Sequence, residues 1–243
     1  MPSFWEQLQV NGQDLPVYSS IPRGDGPFPA VVVAHPASGV AEFTRSIADR
    51  LAEAGFAAAA PDLFHRVTEA MTADGTARNA FLKDAEIVAD IDATVGWLRG
   101  NPAFQGDRIG ITGFCMGGRV AWLAAASNPH FKAVVPYYPG NLWVGRQAAQ
   151  SPFELSANLN CPLLIHFGEV DGNPSQEDMR KLDDELTRLG KPHQFYTYPN
   201  AGHAFMDFAQ PQRYQKEASD ASWPRTLEFF ARHLKGASVN GLP

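Results

Sequence analysis

One short segment limits what this chain can fold into. Residues 108–112 form a mostly apolar run, and Gly113-Phe114-Cys115-Met116-Gly117-Gly118 follows at once. The pattern predicts a strand that turns sharply into a helix, with a thiol at the apex. Glycines flank the turn because it is strained and the helix must pass close to the strand. Open sheets place their ligand sites at the carboxyl ends of such strands. The start of the next helix also offers free N–H groups and a positive dipole end, which favour a thiolate. Cys115 is therefore the candidate nucleophile; a buried cysteine without chemistry is the competing reading.

The rest of the chain alternates strand and helix signals. Residues 7–10 and 15–19 flank Asn11-Gly12, a strong hairpin signal, and the hairpin spans about residues 4–22. Residues 30–34 are uniformly apolar, as befits a central parallel strand covered on both faces. Residues 43–54 have helical periodicity and stop at Gly55, and residues 56–60 form a short strand ended by Pro61. From Arg78 to Leu98 the apolar positions recur at helical spacing. A small-residue helix follows the elbow, strands are predicted at 133–138, 162–167 and 194–198, and helices at 176–189 and towards Leu234. No repeat or long composition break interrupts the series. The expectation is one α/β domain over residues 1–243, with a mostly parallel, doubly wound sheet and helices on both faces.

Composition narrows the function classes. A formal charge of -6 and the lack of a basic stripe argue against nucleic-acid binding. No apolar stretch long enough for a membrane span is present. Met1-Pro2-Ser3-Phe4-Trp5-Glu6 lacks the basic flank and apolar run of a secretory signal, so a cytoplasmic location is expected. The only cysteines are Cys115 and Cys161. They do not make a disulfide framework, and no His/Cys spacing suggests a metal site. Cys161, just before a strand, reads as structural. No GxGxxG or GxxxxGK[ST] spacing points to a nucleotide, and no cofactor is expected.

An acid and a base follow the elbow in order. Asp171, in Gly168-Glu169-Val170-Asp171-Gly172, falls on a turn after a strand, where a carboxylate can orient an imidazole. Glu169 is its rival, and a plain turn-forming role competes with both. His203, in Asn200-Ala201-Gly202-His203-Ala204-Phe205, follows the last strand. Its ordinary pKa near neutrality suits proton transfer; a surface-loop histidine is the bland alternative. Nucleophile, acid and base thus occur in the chain order of α/β-hydrolases. An oxyanion hole needs two donors. The candidates are the backbone N–H groups of Met116 and of Ala37, since Pro36 cannot donate.

Together these residues resemble the dienelactone hydrolase family, also called carboxymethylenebutenolidases. The resemblance runs from the hairpin to the last helix. It is carried most specifically by the elbow, by Pro61-Asp62-Leu63-Phe64, by Gly168-Glu169-Val170-Asp171 and by Gly202-His203-Ala204-Phe205. It implies a cofactor-free α/β-hydrolase, monomeric with a dimer left open, using Cys115, His203 and Asp171 on a small-molecule ester or lactone. The family's named reaction opens dienelactone to maleylacetate. Two departures stand out. Pro36 replaces a glutamate that helps gate thiol ionisation, and Met206 replaces an arginine that binds the substrate carboxylate. Arg78 is the candidate for a second such arginine. Loss of a bidentate clamp removes charge compensation and orientation. The expectation is an altered specificity for neutral or less charged esters, in a pocket drawn from Pro36, Arg78, Tyr137, Tyr138, Trp143, Phe205 and Met206. A broad carboxylesterase or thioesterase, and a silent binding or redox-sensing protein, are the alternatives on the same fold.

Overall fold

Asn11 and Gly12 both take left-handed backbone, with φ of 51° and 77°. That pair of angles suits a two-residue hairpin turn, whose twist matches that of its strands. In the computed structural model, which describes residues 1–236, it joins β1 (Ser3–Val10) to β2 (Gln13–Ser20) with Val10 opposite Gln13. β2 in turn pairs antiparallel with β4 (Ala57–Pro61). The five other strands are β3 (Phe28–Ala34), β5 (Phe104–Phe114), β6 (Phe131–Tyr137), β7 (Leu163–Gly168) and β8 (His193–Tyr198). The sheet order is β1-β2-β4-β3-β5-β6-β7-β8, parallel from β4 onward.

β3 shows how the core divides. Ala30, Val32 and Ala34 point into one apolar cluster, while Val31 and Val33 point into the other. Alternate residues of a strand face opposite sides, so an unbroken apolar run is what a strand buried on both faces requires. The first cluster takes the inner faces of α2 (Asp84–Gly100) and α3 (Met116–Ser127). The second takes α1 (Glu42–Glu53) and α5 (Lys216–Phe230). α4 (Gln176–Arg188) buries Met179, Leu182 and Leu186 in the first cluster and starts from a Ser175–Asp178 capping box. Among the described residues no helix is long and apolar enough to cross a membrane.

One predicted helix is shorter than expected. Its periodicity begins at Arg78, yet α2 begins at Asp84. Residues Arg78–Phe81 make a single 3₁₀ turn, and Leu82 and Lys83 are extended. Leu82 is buried against the first cluster, so its apolar character reflects loop docking and not helix.

The chain leaves β3 towards β4 on one side and returns to β5 on the other. Such a reversal opens a crevice at the carboxyl ends of the two central strands. The loop holding Ala37 leaves β3 there, and Cys115 stands at the end of β5.

Candidate active site

Cys115 has φ 57° and ψ -117°, a strained backbone between β5 and α3. Three glycines make that turn sterically possible. A Cβ on Gly113 would lie 2.0 Å from the Gly117 carbonyl oxygen, and one on Gly117 would lie 2.0 Å from that of Ala34. A Cβ on Gly118 would come within 2.6 Å of the Tyr137 oxygen. The first turn of α3 is therefore wedged between the ends of β3, β5 and β6. The Cys115 N–H donates to Tyr137 O (3.1 Å), and its carbonyl accepts from Gly118 and Arg119. The Met116 N–H, next in line, has no acceptor among the described residues.

Arg119 anchors the same helix from the side. Its fully buried guanidinium holds Asp84 in a fork, with Nη1 and Nη2 at 2.7 and 2.9 Å from the two carboxylate oxygens. It also donates to the carbonyls of Asn141 and Val144. This ties the start of α2 and the loop after β6 to the elbow. Arg119 is the one charged residue in an otherwise small and apolar helix, which is a legible but unspecific signal.

Asp171 and His203 sit on neighbouring loops that are zipped together. The Val170 N–H donates to Ala201 O (2.9 Å), and the Asn200 N–H donates to a Glu169 carboxylate oxygen (2.9 Å). Gly168 allows the approach, since a Cβ there would meet Ala201 O at 2.2 Å. His203 Nδ1 bonds Asp171 Oδ2 at 2.9 Å, and Asp171 Oδ1 accepts the Asn173 N–H at 2.8 Å. Asp171 is buried and bonded to His203, whereas Glu169 is exposed and bonded to the Asn200 N–H. Burial alone would lower the His203 pKa. The Asp171 bond, the neighbouring Cys115 group and the Asp171 charge outweigh it and raise the pKa to about 9.

Cys115 and His203 open on one cavity of about 110 Å³. Pro36, Ala37 and Ser38 form one side, with Phe43, Phe114 and Tyr138 supplying aromatic wall. Beyond His203, Asp207, Gln210 and Arg213 supply polar wall. The Ala37 N–H, like that of Met116, has no acceptor among the described residues. The site thus combines a thiol, an imidazole oriented by a carboxylate, and free backbone donors, the parts needed for acyl transfer.

Comparison with known proteins identifies the family. Residues 15–234 match the family model of the dienelactone hydrolase family. The chain belongs to that family. A Rhodococcus opacus carboxymethylenebutenolidase is 30% identical over 240 residues, covering 97% of this chain and 93% of the relative. A Methylorubrum extorquens protein assigned the same name is 34% identical, covering 93% and 80%. A crystal structure of a Klebsiella pneumoniae protein, assigned as a dienelactone hydrolase, is 30% identical with TM-score 0.84 over 95% and 98% of the two chains. The fold is accordingly the α/β-hydrolase fold, and the chain is a hydrolase of the dienelactone hydrolase type.

The residues expected for the pocket divide by position around the Cys115 cavity. Pro36 and Tyr138 line the Cys115 cavity, but Tyr137, Trp143, Phe205, Met206 and Arg78 do not. Ala204 takes φ 66° directly after His203. That reversal sends Phe205 and Met206 inward, where Phe205 packs on Tyr138 and Tyr198, and Met206 Sδ accepts from Ser222 Oγ (3.2 Å). Asp207 emerges at the cavity instead. Tyr137 is a core residue, stacked on Phe114 and bonded to Thr226 Oγ1 at 2.6 Å. Trp143 packs on Phe153. Arg78 lies over the Phe64 ring, 4.4 Å from its centroid, with Nη2 donating to Ser38 O (3.3 Å). Asp207, Gln210 and Arg213 were not legible as site residues, because no spacing rule links them to His203. Cys161, by contrast, is buried, and burial pushes its thiol pKa up to about 12.

Proposed function

We propose that the chain cleaves small carboxylic esters and lactones through a thioester on Cys115. His203 holds the proton drawn from the thiol, and Asp171 keeps the ring in place. The thiolate attacks the carbonyl carbon, and the resulting oxyanion is held by the N–H groups of Ala37 and Met116. Collapse expels the alkoxide, which takes its proton from the His203 imidazolium. Water, deprotonated by the now neutral His203, then attacks the thioester, freeing the acid and restoring the thiol. In a lactone the alcohol stays tethered, so a single hydroxy- or keto-acid leaves. The observation that carries this reading is the meeting of a strained-elbow thiol and an Asp171-bonded imidazole at one cavity.

The specificity we infer differs from that of the named family reaction. Met206, at the position of the family's clamp arginine, is buried away from the cavity, and the Asp207 carboxylate takes its place on the wall. The Asp207 oxygens accept from the Ala209 N–H and Gln210 Nε2, so its charge acts through the wall without a free oxygen in the cavity. Together with the buried Met206 this disfavours a substrate carboxylate near His203, with Arg213 the lining cation. Neutral esters and lactones are therefore the preferred class. The test is hydrolysis of cis- and trans-dienelactone, their methyl esters and a p-nitrophenyl ester by the protein and its Cys115→Ala variant. Turnover of the methyl esters above that of the free acids, lost in the variant, is expected. Turnover surviving in the variant would remove the nucleophile assignment, and faster opening of the free acids would remove the specificity assignment.

A further inference from the structure

The Pro61-Asp62-Leu63-Phe64 motif has no part in the chemistry above, yet it touches the loop that carries Ala37. The contact runs through His35, which is fully buried. Its Nε2 lies 3.0 Å from the Leu63 backbone N. A backbone N–H can only donate, so Nε2 is the acceptor and the proton of the neutral ring sits on Nδ1. Nδ1–H then donates to the Pro36 carbonyl oxygen at 2.7 Å. Burial lowers the pKa of the ring, which keeps Nε2 free to accept. The tautomer is thus set by Leu63 and read out at Pro36.

The Pro36 carbonyl and the Ala37 N–H belong to one peptide unit. Because that unit is planar and trans, fixing the carbonyl oxygen aims the N–H in the opposite direction. The oxygen is held twice, by His35 Nδ1–H and by the Gly39 N–H at 3.0 Å. Phe64 packs on the His35 ring, with centroids 4.9 Å apart, and Arg78 covers Phe64 while donating to Ser38 O. Asp62 Oδ1 accepts the Phe64 N–H at 3.0 Å and holds the motif's own turn.

We propose that His35, set in its tautomer by Leu63, is a positioning residue that aims the Ala37 N–H at the oxyanion. This rests on the acyl-transfer reading of the same site. Asn and Gln separate the two bonds of the ring. The Asn amide nitrogen occupies the place of Nδ1 and keeps the donor to Pro36, while Gln reaches the place of Nε2 and keeps only the acceptor for Leu63.

The experiment measures kcat and KM for p-nitrophenyl acetate in the wild type, His35→Asn, His35→Gln and Cys115→Ala. The rate of Cys115 alkylation by iodoacetamide is measured alongside, because that displacement forms no oxyanion. His35→Gln is expected to lose about 10- to 100-fold in kcat, in line with a misaimed donor. KM and alkylation should stay within about threefold, and His35→Asn should stay near wild type. Equal kcat losses in the Asn and Gln variants, a full kcat in His35→Gln, or alkylation falling in step with kcat would each overturn the proposal. Should His35→Gln not fold, Arg78→Met removes the outer brace at an exposed site. A several-fold loss of kcat with unchanged alkylation then supports the proposal, and an unchanged kcat overturns it. Loss of the acyl-transfer reading itself is read separately, as turnover persisting in Cys115→Ala.

Discussion

Replacing Asp171 with Asn tests the electrostatics of the site most directly. His203 titrates at about 9 in the folded protein, against 6.5 for the ordinary side chain. The difference corresponds to about 3 kcal/mol in favour of the imidazolium. At pH 8 a group with pKa about 9 is roughly 90% protonated, whereas one at 6.5 is roughly 3% protonated. Asp171→Asn removes the carboxylate's bond and charge, leaves burial in place, and so moves His203 downward. A methyl ester needs the imidazolium to protonate its leaving alkoxide; a p-nitrophenyl ester does not. For the methyl ester, wild-type kcat/KM should hold until about pH 9 and then fall. In Asp171→Asn the fall should begin at lower pH, with up to about 30-fold less imidazolium at pH 8. The alkaline limb should be much weaker with the p-nitrophenyl ester. Stability follows the same linkage. A pKa raised on folding contributes fully below 6.5 and is lost as pH rises through about 9. The stability gap between wild type and variant should therefore narrow over that window by up to about 3 kcal/mol, or about 6–12 °C in Tm for a chain of this size. An alkaline limb at the same pH in both proteins, or a gap that stays constant from pH 6 to 9.5, would refute the assignment of Asp171 as the group that holds His203 cationic.

Three further outcomes follow from packing and burial. Gly117→Ala places a methyl 2.0 Å from the Ala34 carbonyl oxygen, where the nearest atoms are all backbone of Ala34 and His35; a loss of about 3 kcal/mol or more is expected in chemical denaturation, and a loss under about 1 kcal/mol would contradict the wedged helix. Arg119→Met strands the buried Asp84 carboxylate and should cost about 3–5 kcal/mol, with Arg119→Met/Asp84→Leu recovering much of it; a double variant no more stable than the single would disprove the pairing argument. At pH 8, iodoacetamide should label Cys115 and spare Cys161, whose burial holds the thiol protonated; mass spectrometry of tryptic peptides showing comparable labelling of both would count against it.

Much of the fold was legible because it repeats simple periods. The apolar run of β3, the Asn11-Gly12 turn and the glycines around Cys115 each require a local backbone state, and each lies where the sequence pattern predicts. The helix before β5 shows the limit. Phe81 and Leu82 continue the spacing of α2 but belong to a 3₁₀ turn and an extended stretch, since a loop docked on the core buries apolar side chains at any spacing that fits. Which side chains border the Cys115 cavity was hidden for a related reason. Met206 and Asp207 are adjacent in the chain just after the left-handed Ala204, yet only Asp207 is among the residues lining the cavity.

What the sequence determined by itself is therefore local or topological: the elbow, the order of strands and helices, and the succession Cys115, Asp171, His203. Residue spacing carries that information, because a strained turn demands glycine and a doubly covered strand demands an unbroken apolar run. Only the tertiary structure decided what lies across from what. It brought Asp171 and not Glu169 to His203, turned Met206 into the core, raised Arg213 to the cavity wall and set Leu63 against His35. Those contacts join residues distant in the chain. Their partners are chosen by how loops close over the ends of the sheet, which no periodicity in the sequence encodes.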